Sequence, residues 1–214
     1  MTKSLPPVLS PQLWGNTFWG VMHNFAAAVQ HKQTSDSSNQ QLRAYFFAFM
    51  CGIPFILPCL ACRDNAPEFF ANRLSKVSEK TDLDLFMCDL HNDVNKHLEK
   101  PEISHDIAKL RVSDLDLLHI DTCQVWRFIV IIARSTNVQI YKTNHFKNTV
   151  TSFANLLGGL GLEDLGLAVK KVLVVGCSMA RLFPVYREWH VFHKIQCSET
   201  LEDFLKKHNV DELD

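Results

Sequence analysis

Residues 58–63, Pro-Cys-Leu-Ala-Cys-Arg, predict the start of a helix with two thiols in its first turn. Proline is common where one helix ends and the next begins. The unpaired N–H groups and the dipole at a helix N-terminus stabilise a thiolate, so a cysteine in this position is reactive. Two cysteines with two residues between them can form a redox-active disulfide or supply half of a metal site. The stretch alone leaves both chemistries open.

The composition excludes some classes of partner. The chain has 214 residues, 22 of them basic and 23 acidic, with a net charge of -1. This balance gives no electrostatic basis for binding nucleic acid or an anionic membrane. Seven cysteines are an odd number, so at least one has no disulfide partner within the chain. Residues 1–10 lack the apolar segment of a secretory signal. We therefore expect an intracellular protein, in which a disulfide is usually catalytic.

One segment is long enough to span a membrane. Residues 44–62 are 19 residues without a formal charge. Gly52, Pro54 and Pro58 interrupt the second half of this segment, and proline removes a backbone donor and clashes with the preceding turn. We therefore expect a buried helix that ends near Gly52, then a turn and a new helix, and no membrane span.

The first half of the chain predicts four helices. Ser10 and Pro11 suit an N-cap and a first helical position, and Thr81 or Asp82 suits the N-cap of the fourth helix. Pro101 follows the expected end of that helix. The polar stretches 34–41 and 75–80 predict loops, and the expected helices are 11–30, 42–52, 59–74 and 82–98. Helices joined by short loops predict an antiparallel bundle, which we assign to residues 1–110.

The second half of the chain also shows mostly helical periodicity. The apolar runs 128–133 and 172–175 would suit short buried strands as well, because periodicity does not distinguish the two. A faint similarity between residues 18–26 and 125–133 suggests a decayed duplication. We therefore expect an all-α protein in which residues 120–214 form a helical domain, either a degenerate second bundle or a dimerisation surface. Its expected helices are 122–135, 144–157, 163–176 and 184–194, with a capped tail from 198.

Two of the predicted helices carry polar and aromatic side chains on one face. Trp19 and His23 are four residues apart and share a face of the first helix, and His91 lies on a similar face of the fourth. Buried polar groups need partners, so a core helix rarely carries such a patch. If both faces meet the turn at 59–62, they form a pocket with flat walls and a dithiol, which suits a flavin nucleotide. The further polar groups of this pocket are Asn92, Asn95 and, for the pyrophosphate, Lys100.

Three motifs of the chain resemble those of a known enzyme family. Residues 13–23, LWGNTFWGVMH, are similar to the first-helix signature of the Erv/ALR-type FAD-dependent sulfhydryl oxidases. Residues 58–62, PCLAC, resemble the active-site CxxC of that family, and residues 88–101, CDLHNDVNKHLEKP, resemble its HNxVNxxLxKP helix. The motifs occur in family order at similar distances. The resemblance implies an FAD-binding four-helix bundle with a short fifth helix.

The resemblance also implies an activity, namely the formation of disulfides in protein substrates. Cys59 would exchange disulfides with substrate thiols, and Cys62 would pass electrons to FAD, which gives hydrogen peroxide from oxygen. The implied partners are thiol-containing proteins, oxygen and a second copy of the chain, because family members commonly dimerise through the bundle. The implied FAD contacts are Asn16, Trp19, His23, Cys62, His91, Asn92, Asn95, Lys96 and Lys100.

The chain departs from the family pattern in three ways. Many members carry a second, shuttle dithiol, whereas this chain has no other CxxC or CxC, which leaves Cys177 and Cys197 as candidates. In cellular members the cysteine that corresponds to Cys88 commonly bonds one just after the Lys-Pro pair, near which this chain has His105. The C-terminal extension is the third departure. If Cys88 is not free, its candidate partners are Cys51 and Cys123.

The departures favour a viral origin. Virus-encoded members tolerate such extensions and often lack the shuttle pair. We therefore expect a viral enzyme located in the host cytoplasm or the virion, whereas a cellular member would be expected in the mitochondrial intermembrane space.

Two other functions would use the same residues. Cys59, Cys62, Cys88 and His91 have the spacing of a zinc-binding structural or interaction module. However, structural zinc sites usually lie on loops, whereas Cys88 and His91 fall within a predicted helix. A non-catalytic interaction protein that retains a flavin is the third alternative. Taken singly, each residue would suit ordinary core packing or an exposed surface, and only the joint pattern favours the oxidase.

Overall fold

The regular secondary structure in the described part of the chain is all helical. The computed structural model describes residues 11–32, 36–108, 120–135 and 143–174, and beyond them residues 182, 184–187, 189, 203 and 206. Within these ranges there is no strand, and residues 105–108 form one short helical turn. The expected all-α fold class is confirmed. The long helices are α1 (Pro11–His31), α2 (Asp36–Ile56), α3 (Leu60–Leu74), α4 (Leu83–His97), α5 (Thr122–Ser135), α6 (Asn144–Gly159) and α7 (Glu163–Val174).

Side-chain caps explain where several helices begin. Asp82 is the N-cap of α4, and its carboxylate accepts hydrogen bonds from the backbone N–H groups of Asp84 and Leu85. Thr143 caps α6 in the same way, through the N–H of Phe146. Each cap satisfies a backbone donor that lacks a partner within the helix. The predicted start of α4 is therefore confirmed within one residue. Helix α1 begins at Pro11 as predicted, whereas its predicted N-cap, Ser10, lies outside the described residues.

Helix α2 is longer than its sequence pattern predicts. The polar stretch 34–41 was expected to be a loop, but the helix already begins at Asp36, and its first two turns are mostly exposed. The predicted end near Gly52 is also wrong, because the helix continues through Pro54 to Ile56. Ile53 and Ile56 are 0% and 2% exposed. Their burial stabilises the last turn and offsets the backbone hydrogen bond that proline removes.

The second half follows its predicted helices where it is described. The expected helix at 122–135 is confirmed, and the expected helices at 144–157 and 163–176 correspond to α6 and α7. The apolar run 128–133 is helical, so the strand alternative is wrong there. Residues 184–187 are helical, whereas the rest of the helix expected at 184–194 and most of the expected tail lie outside the described residues.

The two halves of the chain share one hydrophobic core. Helix α1 packs against α5, and α2 packs against α6. Phe18 and Phe128 have ring centroids 4.5 Å apart, and Phe49 and Phe153 stack at 5.0 Å. The buried aromatic side chains exclude water from the contact between the halves, which is the main source of its stability. The apolar faces of α1 and α2 are therefore covered by helices of the same chain.

The expectation of no membrane span concerns α2 above all. Among the described helices, none is both long enough and apolar enough to cross a bilayer.

Gly52 lies at the contact between α2 and α6, and we expect Gly52→Ala to destabilise the protein. An added Cβ would collide with the side chain of Thr149, which is 2% exposed and hydrogen-bonded to the His145 carbonyl. Overpacking of this kind typically costs about 1–3 kcal/mol. Equilibrium unfolding in urea measures the change in the free energy of unfolding.

Gly15 in α1 provides the matched control. A Cβ added to Gly15 would meet no atom within 4 Å. Gly15→Ala should therefore stabilise the protein by up to about 1 kcal/mol, because glycine is a poor helix former. If both substitutions shift the unfolding curve in the same direction, the packing of α2 on α6 is not as described.

Candidate functional site

The two cysteines of the CxxC motif form a disulfide at the start of a helix. Cys59 and Cys62 are bonded to each other, and Cys59 is the N-cap of α3. The Cys59 sulfur accepts a hydrogen bond from the backbone N–H of Cys62, with N and Sγ 3.2 Å apart. The sequence-based prediction of a helix starting at this motif is confirmed. When the disulfide is reduced, the same N–H and the helix dipole would stabilise a thiolate on Cys59.

The surroundings of the two sulfurs differ. Cys62 packs against the hydrophobic core, whereas Cys59 lies outside the group of residues packed on it. Arg63, the next residue, donates a hydrogen bond to the Leu57 carbonyl and ties the first turn of α3 to the end of α2. Desolvation lowers the pKa of the Arg63 guanidinium from its ordinary value.

Helices α1 and α4 form a wall of flat rings. The Trp19 and His91 rings are stacked, with centroids 3.9 Å apart and planes at 8°. His23 Nε2 lies 3.2 Å from His91 Nδ1, within hydrogen-bonding distance. The pairing follows from the sequence, because Trp19 and His23 share a face of α1 and that face packs against α4. The structure therefore brings together the three ring residues predicted for the site.

A cavity of about 320 Å³ adjoins this wall. Its lining comes from α1, α4 and the segment that follows α4. Neither Cys59 nor Cys62 contributes to that lining. The predicted FAD contacts at the cavity are Asn16, Trp19, His23, His91 and Asn92. The lining residues that were not predicted as FAD contacts are Gly20, Asn24, Ala27, Asp84, Cys88, Ile103 and Ala108.

Asp84 is a buried acid at the cavity that the sequence reasoning missed. Its carboxylate is 9% exposed and lies 2.8 Å from His31 Nε2. Desolvation raises the pKa of the Asp84 carboxyl, and the hydrogen bond from His31 opposes this shift. Asp84 falls two residues after the N-cap, where an acid commonly stabilises the helix dipole. No sequence signal separates this position from an ordinary first-turn acid.

Asn92 and Asn95 hold the end of α4 against the chain that follows it. Asn92 Nδ2 donates to the Ile103 carbonyl at 2.7 Å, and the Ile103 N–H donates to Asn92 Oδ1 at 2.9 Å. Asn95 is buried and its Nδ2 donates to the Pro101 carbonyl at 3.3 Å. Both amides therefore have structural partners, and Asn95 does not line the cavity.

The chain reverses direction at Glu99. This residue has a φ of 54°, and the N–H of Lys100 donates to the Asn95 carbonyl at 2.8 Å, which is the pattern of a Schellman motif. The reversal directs residues 101–103 back along α4. Lys96 and Lys100 are exposed at this end of the helix and do not line the cavity.

Two of the other cysteines are free. Cys51 is exposed and Cys88 is buried, and Cys123 is disulfide-bonded, so Cys88 pairs with neither of them. The Cys88 sulfur lies 3.6 Å from the Ile103 carbonyl oxygen. His105 contacts Asp89 at 2.6 Å and helps to fasten the same segment to α4. Cys177 and Cys197, the candidates for a shuttle pair, lie outside the described residues.

The zinc alternative finds no support in the described part of the chain. Two of the four proposed zinc ligands, the sulfurs of Cys59 and Cys62, are bonded to each other. A third, the His91 ring, contacts His23 and Trp19. Among the residues that the structure describes, no group of three or more histidine, cysteine or acidic side chains is arranged to hold a metal ion.

A larger open groove lies beside the cavity but has unsuitable charges for a phosphate. It has a volume of about 570 Å³. Its basic residues are Arg73 and His105, and Arg73 is ion-paired with Asp93. Three carboxylates line it, and they would repel an anion. These acids are Asp89, Asp93 and Glu102.

Comparison with known proteins identifies the family of the chain. The model of the Erv1 / Alr family matches residues 16–113. Protein 347L of Invertebrate iridescent virus 6, provisionally named an FAD-linked sulfhydryl oxidase, is 31% identical over 108 residues, which are 47% of this chain and 93% of that protein. The chain belongs to the Erv1/Alr family. The matched residues include the disulfide, the ring wall and the cavity.

Two further relatives are similar over the same half of the chain. Protein 096R of Invertebrate iridescent virus 3, with the same provisional name, is 35% identical over 98 residues, 45% of this chain and 63% of that protein. The mitochondrial FAD-linked sulfhydryl oxidase ERV1 of Saccharomyces cerevisiae is 26% identical over 100 residues, 47% of this chain and 50% of that protein. The chain thus spans less than two thirds of the length of these two relatives. No solved structure matches the chain.

The reactivity of the cysteines provides a test of the site. After anaerobic reduction at neutral pH, we expect iodoacetamide to alkylate Cys59 faster than Cys51 or Cys88. Desolvation raises the pKa of the Cys51 and Cys88 thiols, and the negative charge of Asp89 raises the pKa of Cys88 further. Only the thiolate reacts. Mass spectrometry after a timed pulse measures each rate, with urea-unfolded protein as the control.

The pH dependence should also differ between these thiols. Alkylation of Cys51 and Cys88 should become significant only above the ordinary thiol pKa of about 8.5. If Cys88 reacts as fast as Cys59 at neutral pH, the environments described for the two sulfurs are wrong.

Proposed function

We propose that the chain is an FAD-dependent thiol oxidase that forms disulfide bonds in protein substrates. The observation that carries the proposal is the Cys59–Cys62 disulfide at the N-terminus of α3, in a chain that belongs to the Erv1/Alr family. The relatives named above carry the name FAD-linked sulfhydryl oxidase, which supports the same activity here. We place the oxidase chemistry in residues 1–110.

The residues between α1 and α4 fit a flavin nucleotide. Trp19 and His91 present flat faces, and His23 adds a second imidazole beside them. The cavity volume of about 320 Å³ lies at the lower end of the range for small-molecule sites, so it would hold a ring system and leave the rest of the ligand outside. Asn16 and Asn92 supply amide groups at its edge.

The phosphates of FAD would need positive charge outside the cavity. Lys96 and Lys100 are exposed at the C-terminal end of α4 and meet this need. We propose that they face the pyrophosphate, whereas Asn95 acts indirectly by holding the Pro101 carbonyl and hence the path of the chain.

The disulfide itself performs the exchange with the substrate. A substrate thiolate attacks the sulfur of Cys59, the Cys59–Cys62 bond breaks, and Cys62 leaves as a thiolate. A second substrate thiol, deprotonated, then attacks the mixed disulfide, which releases the oxidised substrate and leaves Cys59 as a thiolate. The protein dithiol now holds the two electrons. Bound FAD would supply the acceptor that restores the disulfide and returns the electron pair to oxygen as hydrogen peroxide.

The packing of the two sulfurs supports the assigned roles. Cys62 packs against the core and Cys59 does not, so Cys59 is the sulfur that we assign to the substrate side. The N–H of Cys62 that contacts the Cys59 sulfur would favour Cys59 as the leaving thiolate in the second exchange.

The proposed partners follow from the same chemistry. We propose thiol-containing proteins as substrates and oxygen as the acceptor. A homodimer, as in many family members, would use surfaces other than the apolar faces of α1 and α2, because α5 and α6 cover those faces. The viral relatives support a viral origin. For a viral enzyme we propose action in the host cytoplasm or the virion.

The proposal is tested by purifying the full chain and recording its absorbance spectrum and its oxygen uptake with dithiothreitol. We expect a flavin spectrum and thiol-dependent oxygen uptake. Cys59→Ser and Cys62→Ser should lower uptake on the order of 100-fold or more, because both remove the exchangeable disulfide. Cys51→Ser, an exposed thiol outside the cavity, should leave uptake unchanged.

Two other outcomes of this experiment would contradict the proposed oxidase activity. A colourless protein that does not bind added FAD would overturn the proposal. Bound FAD without oxygen uptake would instead indicate the non-catalytic flavin protein.

A further inference from the structure

A side chain from the second half of the chain contacts two residues that line the cavity. Gln124, in the first turn of α5, accepts a hydrogen bond from Asn24 Nδ2 at 2.9 Å through its Oε1 atom. Asn24 lines the cavity between α1 and α4. The two residues are 100 positions apart in sequence, and Gln124 lies outside the residues that match the family model. The contact is therefore specific to the extension of this chain.

Gly20 makes the close approach of Gln124 possible. It lies one turn before Asn24 on α1 and also lines the cavity. A Cβ added to Gly20 would collide with the amide group of Gln124. The glutamine amide thus covers the bare backbone at this point and extends from Gly20 to Asn24, which both line the cavity, although Gln124 itself does not.

The position of Gln124 is fixed by its own helix. The backbone N–H of Gln124 donates to the Asp121 carboxylate at 3.0 Å, which caps the start of α5. Val125 and Phe128 are 1% and 0% exposed, and Phe128 packs on Phe18 of α1. A long, flexible side chain is therefore attached to a turn that cannot easily move away from α1.

We propose that Gln124 is a positioning residue for the FAD site, so that the C-terminal half of the chain holds one part of the cavity lining in place. It acts by fixing the orientation of the Asn24 amide and by covering Gly20. This inference rests on the proposed function, because it assigns FAD to the cavity. If Gln124 has this role, the C-terminal half of the chain influences the affinity of the protein for FAD.

The test is the dissociation constant of FAD for the flavin-stripped full chain, measured by the change in flavin fluorescence. Gln124→Ala should weaken FAD binding about five- to tenfold, as expected for the loss of one organising hydrogen bond. Gln124→Glu keeps an acceptor for Asn24 and should restore most of the affinity. The absorbance spectrum of bound flavin should shift in Gln124→Ala and return towards that of the unchanged protein in Gln124→Glu.

A matched control separates this effect from general loosening between the halves. Lys32, directly after α1, donates to the Gly159 carbonyl at 2.7 Å, which also links the two halves, but neither residue of this bond lines the cavity. Lys32→Met should leave FAD binding unchanged. Circular dichroism and thermal unfolding of each flavin-free variant establish that it is folded.

A double-substitution cycle tests the geometry. Gly20→Ala should weaken FAD binding when Gln124 is present, because its methyl group displaces the glutamine amide. In the Gln124→Ala protein the same change should have little further effect. An equal loss in both proteins would mean that the methyl group obstructs the cavity directly, and would overturn the role given to Gln124.

The failure of this inference is distinct from failure of the proposed function. Tight FAD binding that is the same in the unchanged protein and in folded Gln124→Ala overturns only the inference. If the unchanged protein does not bind FAD, the proposed function fails and the inference fails with it.

Discussion

Helix α1 packs against α4 on one side and against α5 on another, and the ring wall and the cavity depend on these two contacts. The first contact stacks Trp19 on His91 and forms the cavity. The second buries Phe18 against Phe128 and places Gln124 over the helix. Because a close-packed helix held on two sides cannot shift without opening voids, the second half of the chain constrains the geometry of the first.

The environments of the described cysteines predict different reactivities. Cys59 and Cys62 lie at the start of a helix, where the backbone N–H of Cys62 contacts the Cys59 sulfur. Cys88 is buried beside Asp89, and desolvation raises the pKa of its thiol. Only the thiolate form of a cysteine is nucleophilic, so cysteines in different environments are expected to differ in reactivity.

The sequence predicted those features that depend on local contacts. Asp82 caps α4 and Pro101 follows its end, because each acts on backbone groups a few residues away. Trp19 and His23 were expected to share a face, which helical spacing requires. The course of α2 was not predictable from such signals, since burial of Ile53 and Ile56 outweighs the cost of Pro54.

Contacts between distant parts of the chain could not be read from the sequence. Asn92 was expected at the cavity, which it lines, but its paired hydrogen bonds to Ile103 depend on the reversal at Glu99. Asn24 and Gln124 carry no motif that links them across 100 positions. Such pairs follow from tertiary packing, so residue types and spacing give no signal for them.

The most direct test of this account is a crystal structure of the full chain grown with FAD. The account predicts that the flavin nucleotide lies between α1 and α4 in contact with Trp19, His23 and His91, with Gln124 over Gly20 at the edge of the site. Electron density for FAD elsewhere on the protein, with Trp19 still stacked on His91 and no ligand beside them, would contradict it.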